Sequence, residues 1–381
     1  MASSKGPALG WDSIFTLPVA ITFAAVVQGF EYATKLGSAI CVISSFFACV
    51  LLWLPSYADA LADSIRGRVG ETGLHISTTT IFVLVVLGGA KALHDFLNYL
   101  SFNNFRFRSQ ATYDWPNEIA VVTGAAGGIG AAIVEELAAK GIQVIAVDIV
   151  PSLPEELGKN AKVHYYKCDI TSLQDVLHLA ANIKKEHGSP SILVNNAGVA
   201  YMHHTLNASE TALRRLFDVN ILSHYWTIQA FLPDMIEKKK GHIASTASIA
   251  SFFAGLGLGP YSATKAAVLA QHEALHQELR RIHHAPEIQL TIVHPTFVQT
   301  AMTRHVKTEL EKLQEIITPQ TVSNAICGNI FARRGGQIVL PGSLGPFPVL
   351  MRCLPNWLSY SLIRAGELRS VGVSKDETPL K

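Results

Sequence analysis

The chain has 381 residues, 31 of them basic and 29 acidic for a formal net charge of +2, with 16 % charged and 49 % hydrophobic residues. That balance excludes a disordered chain, and the near-zero net charge speaks against a nucleic-acid footprint over the whole protein. Charge is also unevenly placed: residues 1–100 carry 11 charged side chains and the remaining 281 carry 49, so an apolar leader precedes a more ordinary globular domain.

Three uncharged runs, Ile14–Phe30, Leu36–Leu54 and Leu74–Ala90, occupy the leader. At ~1.5 Å rise per residue Leu36–Leu54 reaches about 28 Å, close to a bilayer core, and is the strongest candidate span. Pro18 sits in the first turn of the first run or kinks it, while His75 and three threonines weaken the start of the third. A cleaved signal peptide fits poorly, because one lysine precedes the first run and no clean small-x-small site follows it. Residues 1–115 are therefore expected to form a membrane-anchor region of two or three apolar helices, as spans or as a monotopic hairpin. Basic residues on both sides of the third run (Arg66 and Arg68; Lys91, Arg106 and Arg108) leave span count and orientation open. Tyr99–Trp115 mixes aromatics with arginine, as a membrane interface or an ordinary linker would.

From Glu118 onward short β-rich runs alternate with helical stretches. Strands are expected at Glu118–Thr123, Gln143–Val147, Val163–Cys168, Ile192–Asn195, His242–Thr246, Gln289–Val293 and Gln337–Leu340. Helices between them include Gly130–Lys140, Leu173–Glu186, Ala212–Phe231 and Ser262–Arg281. Continuous apolar strands with intervening helices predict an α/β fold, a doubly wound parallel sheet of Rossmann type over residues 116–342. Ala301–Thr318 is expected to be a helical lid beside the substrate. Residues 343–381 read as an apolar lid or membrane-lying segment with a polar tail, or equally as a packed end or dimer contact.

The first strand runs into Thr123-Gly124-Ala125-Ala126-Gly127-Gly128-Ile129-Gly130, a glycine-rich turn that opens a helix. Such a turn lets backbone N–H groups and the helix dipole meet a pyrophosphate. Asp148 closes the second strand, where a carboxylate accepts hydrogen bonds from an adenosine ribose and repels a 2′-phosphate. Neither Gly127 nor Ile149 offers a basic side chain, so NAD(H) is favoured and NADP(H) left open. Cys168-Asp169-Ile170 and Asn195-Asn196-Ala197-Gly198 end the third and fourth strands on the edge where ligands bind in open parallel sheets.

Tyr261 and Lys265 stand i and i+4 on one helix face. A lysine charge there is expected to lower the phenol pKa and let the tyrosine exchange a proton with an alcohol. Ser248 would hydrogen-bond the substrate oxygen; Ser245, Thr246 and Ser251 crowd it, and spacing selects Ser248. Together TGAAGGIG at 123–130, NNAG at 195–198 and YSATK at 261–265 resemble the short-chain dehydrogenase/reductase superfamily over roughly residues 117–342. The resemblance implies a catalytic set of Asn220, Ser248, Tyr261 and Lys265, with Asn220 holding a kinked helix and a relay water and Lys265 also binding the nicotinamide ribose. It implies a cofactor site of Gly124, Gly128, Ile129, Gly130, Asp148, Asp169, Ile170, Asn196, Ala197, Gly198, Tyr261, Lys265, Val298 and Thr300, with Thr300 at the carboxamide. The chain departs from the family's frequent Pro-Gly at Pro295-Thr296, which restricts that loop.

An apolar leader on this core is similar to the membrane-anchored retinol dehydrogenase and lipid-droplet 17β-hydroxysteroid dehydrogenase branch, although the leader is longer than that branch's usual anchor. The expected activity is hydride transfer between NAD(P)(H) and a lipophilic alcohol or carbonyl, a retinoid, steroid or fatty alcohol. It would take place at an endoplasmic reticulum or lipid-droplet membrane with the catalytic domain facing the cytosol. Alternatives are an NADPH-dependent reductase of long-chain 3-oxoacyl or sphingoid intermediates, and a non-catalytic lipid-droplet scaffold. A homodimer is expected from the resemblance alone, and no nucleic-acid partner is expected. Cys41, Cys49, Cys168, Cys327 and Cys353 form no C-x-x-C, and the histidine doublets 203–204 and 283–284 point apart, so neither a disulfide framework nor a metal site is expected.

Overall fold

The computed structural model describes residues 67, 86, 88–106, 111–201, 205–306, 316–345 and 347–367. The chain divides into two compact units, residues 24–101 and residues 1–23 with 102–381. In the first, residues 88–101 are helical, with Leu93, Phe96 and Leu97 exposed. No helix among the described residues is long and apolar enough to cross a membrane. The expected spans at 14–30 and 36–54 lie outside the described residues, as does 74–90 apart from residues 86 and 88–90.

The second unit is built on seven parallel strands: β1 Ile119–Thr123, β2 Gln143–Asp148, β3 Val163–Lys167, β4 Ile192–Asn195, β5 His242–Thr246, β6 Gln289–Pro295 and β7 Gly336–Leu340. Their order is β3-β2-β1-β4-β5-β6-β7. Among the described residues of this unit the α-helices are α1 Gly128–Ala139, α2 Glu155–Gly158, α3 Leu173–Glu186, α4 Glu210–Phe217, α5 Ser223–Glu237, α6 Gly259–Arg281, α7 Pro319–Phe331, α8 Phe347–Cys353 and α9 Asn356–Glu367. Strands β1, β4, β5 and β6 are buried along their whole length because both sheet faces are covered; β1 reads as an apolar run, whereas β5 and β6 also bury polar side chains such as His242, Thr291 and His294.

Neighbouring residues on one strand feed opposite cores. Val122 joins Ile133 and Leu137 of α1 and Val322 and Ile326 of α7. Val121 joins Val176 and Ile183 of α3, Met235 of α5 and Leu275 of α6. Each buried aliphatic side chain contributes roughly 1.5–3 kcal/mol to this sandwich. The strand order reverses between β1 and β4, and a cleft opens at their carboxyl ends.

Two expected helices differ. Ala212–Phe231 is not one helix: α4 ends at Phe217, a π-turn spans Asp218–Leu222, and α5 follows. In the expected lid, Ala301–Val306 is a 3-10 helix and 307–315 lie outside the described residues. Its two ends are pinned together: Gln299 N donates to Ile317 O at 2.9 Å and Ile317 N to Phe297 O at 3.1 Å.

Candidate active site

The cradle at the end of β1 is closed by backbone packing that only glycine permits. Gly124 has φ +65, and a Cβ there would lie 2.8 Å from Ala197 Cα. A Cβ on Gly130 would lie 1.9 Å from Gly124 O, so the first turn of α1 rests directly on the loop. Thr123 Oγ1 accepts from Asn196 N (3.1 Å) and Ala197 N (3.2 Å), tying β1 to β4. Asn196 spends its amide on Thr123 O, Gly124 O and Thr246, so its side chain serves the cradle's shape. Asp148 Oδ2 accepts from Ala126 N at 2.9 Å and Oδ1 from Ile149 N at 2.7 Å, which fixes the carboxylate over the glycine turn.

A cleft of about 1410 Å³ is lined by Gly124, Gly128, Ile129, Asp148, Asp169, Ile170, Asn196, Ala197, Gly198, Ser248, Tyr261, Lys265, Val298 and Thr300. Two expected site residues stand behind the wall. Gly130 underlies Gly124. Asn220, in the π-turn, clasps Val199: its Oδ1 accepts from Val199 N (2.8 Å), and its Nδ2 donates to Val199 O (2.9 Å) and Thr264 Oγ1 (3.0 Å). The glycine cradle and the Asp148 carboxylate fit a dinucleotide.

Tyr261 and Lys265 meet Ser248 at the far end of the cleft. The ammonium of Lys265 donates to Thr246 O at 2.9 Å and lies 5.8 Å from the Tyr261 ring centroid. Burial pulls the lysine from its ordinary 10.5 down to about 8. The net shift of Tyr261 runs opposite to the expected lowering. Burial raises the phenol above its ordinary value, and only the hydrogen bond with Ser248 works the other way. Desolvation outweighs that hydrogen bond.

Residues 118–311 match the family model described as short chain dehydrogenase. The chain belongs to the short-chain dehydrogenase family. It is 44 % identical over 256 residues to Dehydrogenase RED2 of Cochliobolus heterostrophus, covering 66 % of this chain and 96 % of that one. It is 33 % identical over 244 residues to Estradiol 17-beta-dehydrogenase 11 of Homo sapiens (63 % and 80 %). Retinol dehydrogenase 10-B of Xenopus laevis is 30 % identical over 234 residues (53 % and 68 %). Among solved structures, the ligand-free aldohexose dehydrogenase of Thermoplasma acidophilum superposes with a TM-score of 0.54 at 26 % identity, covering 61 % of this chain and 96 % of that one. The relatives span the retinol and 17β-hydroxysteroid branch, and the protein is an NAD(P)-dependent oxidoreductase.

Several residues of this short-chain dehydrogenase's cleft carry no motif. Tyr201, Ile249, Phe253, Leu258, Phe297 and Met302 give the cleft an apolar wall, and Glu210, Arg214, Arg215 and Asp218 line it as well. They come from the three connections that follow β4, β5 and β6, so no spacing announces them. Thr296, where the family often has glycine, lines the cleft, and its N donates to Leu340 O at 2.9 Å. Behind Lys265, fully buried His224 is neutral, its pKa lowered to about 3 by burial and then by the lysine charge.

Proposed function

We propose that this dehydrogenase interconverts a lipophilic alcohol (retinoid, steroid or fatty alcohol) with its carbonyl compound, using NAD(H) in preference to NADP(H). The observation that carries this reading is the meeting of Tyr261, Ser248 and buried Lys265 where the glycine cradle gives way to an apolar wall. A bound nicotinamide dinucleotide supplies the hydride acceptor or donor. Gly124, Gly128, Ile129 and the α1 N-terminus would hold its pyrophosphate and Asp148 its adenosine ribose. Asp169, Ile170, Asn196, Ala197, Gly198, Val298 and Thr300 would line the rest of its site. Tyr261 takes the hydroxyl proton in oxidation and returns it in reduction, Ser248 hydrogen-bonds the same oxygen, and Lys265 offsets the phenolate charge. Asn220 keeps Val199, and with it the Gly198 edge, in place. The relatives' names, estradiol and retinol among them, agree with the apolar wall.

The same reading assigns residues 1–115 to a membrane anchor, 116–342 to catalysis and 343–381 to a lipid-facing end, at the endoplasmic reticulum or lipid droplet with catalysis on the cytosolic side. Arg352 Nε of α8 donates to Phe252 O at 2.8 Å, seating that end beside Ser248. A homodimer follows from the family resemblance. The test is the full-length protein in detergent, offered lipophilic alcohols with NAD and NADP separately. Turnover that prefers NAD is expected. A folded protein that turns over none of the panel overturns the proposal.

A further inference from the structure

Outside the four residues assigned above, one buried histidine holds Ser248 directly. His294 lies on β6 with no exposed surface. Its Nδ1 is 3.1 Å from Ser248 O, its Nε2 is 3.1 Å from Gln337 Nε2 on β7, and its ring packs on Phe252 with centroids 4.6 Å apart. A carbonyl oxygen only accepts, so Nδ1 carries the proton. A neutral ring then has a bare Nε2, which accepts from the Gln337 amide. Burial keeps the ring neutral, lowering its pKa to about 4; the Ser248 carbonyl pulls it up and the Lys265 charge pushes it down. The titratable groups facing it are Lys265 and His272, both on α6.

Ser248 needs such a hold. Its backbone is extended and its hydroxyl oxygen accepts from Ala250 N at 3.2 Å to cap the short turn Ile249–Ser251. Its hydroxyl also lies 3.4 Å from Pro295 O, the residue after His294. The end of β6 therefore grips Ser248 at both its carbonyl and its hydroxyl.

We propose that His294 is a positioning residue: its Nδ1–H, fixed in that tautomer by Gln337, holds the Ser248 carbonyl and so aims the Ser248 hydroxyl at the substrate oxygen. This rests on the reading that Ser248 binds that oxygen. His294→Leu should lower kcat about tenfold or more while NAD(H) affinity, read by fluorescence, stays unchanged. His294→Asn, whose amide nitrogen stands where Nδ1 stood, should recover most of the loss. In a Ser248→Ala background, His294→Leu should cost nothing further. Nitrogen-15 NMR of the histidine-labelled wild type should show His294 protonated at Nδ1 and bare at Nε2. An Nε2–H tautomer, or equal loss in His294→Asn and His294→Leu, overturns the proposal. So does a full further loss from His294→Leu in an already impaired Ser248→Ala protein, which leaves the functional reading standing. Full activity of Ser248→Ala alone overturns both.

Discussion

Lys265 costs the fold stability that the chemistry then uses. Its folded pKa of about 8 lies below the ordinary 10.5, so between those values the unfolded chain binds the extra proton and stability rises with pH. Below pH 8 the full cost is present, up to about 3 kcal/mol for a shift of this size. Lys265→Met should therefore unfold later than wild type in urea at pH 7, by roughly 1–3 kcal/mol once the lost Thr246 bond is counted, and its advantage should shrink as pH rises past 8. A variant less stable at pH 7, with a gap indifferent to pH, would show that the charge is not desolvated. Tyr261 is a different case, because its phenol is already raised by burial. Tyr261→Phe removes the phenolic hydroxyl, and with it both the exchangeable proton and the hydrogen bond with Ser248; activity should fall by about 10²-fold or more while NAD(H) still binds. Retained activity would exclude Tyr261 as the acid–base group. The sequence placed these two side chains on one helix face, and that held. It also predicted that the lysine would lower the phenol pKa; the net shift runs upward because burial dominates it, and desolvation depends on everything packed around the pair and leaves no trace in local spacing.

At the scale of elements, the sheet was legible almost strand by strand, because the central β1 and β4 are apolar runs buried on both faces and short β-rich stretches ending at turns mark the others. Helix α1 was legible from its glycines, and Gly130 shows the physical reason. In an ordinary helix Gly→Ala gains about 1 kcal/mol, but here the added carbon would lie 1.9 Å from Gly124 O. Gly130→Ala should therefore lower the melting temperature and weaken NAD(H) binding about tenfold or more, both read on one sample; a variant that binds normally would mean the turn of α1 moves freely against the loop. The π-turn at Asp218–Leu222 was not legible from apolar spacing; only the family resemblance, which implied a kinked helix at Asn220, pointed to it. Apolar spacing continues smoothly through it, and the clasp that settles it joins Asn220 to Val199, 21 residues away. Asn220→Ala leaves Val199 N and O without their partner inside the fold, so it should cost about 2–4 kcal/mol in denaturant unfolding and weaken NAD(H) binding. A loss below about 0.5 kcal/mol would mean that water replaces the clasp.

At the scale of the whole molecule, low charge gathers at both ends of a catalytic centre, and the described end is the carboxyl-terminal one. Helices α8 and α9 leave Val349 and Leu350 exposed, and Trp357 and Tyr360 are each 72 % exposed. Aromatic side chains with one polar atom gain most at a lipid–water boundary, where the ring is buried and the polar atom stays wet. Because Arg352 ties α8 to Phe252 beside Ser248, a lipid surface met by α9 would sit near the apolar wall of the cleft. The proposed lipid-facing role then separates two KM values. In the full-length protein, Trp357→Ser with Tyr360→Ser should raise KM about tenfold for a long-chain alcohol presented in phosphatidylcholine vesicles, since partial burial of two aromatic rings is worth on the order of 1–3 kcal/mol. KM for a short water-soluble alcohol and kcat for both should stay as in wild type. Equal KM changes for the two substrates would place the aromatics in the fold of the catalytic unit, and no change for either would make α9 an ordinary exposed end.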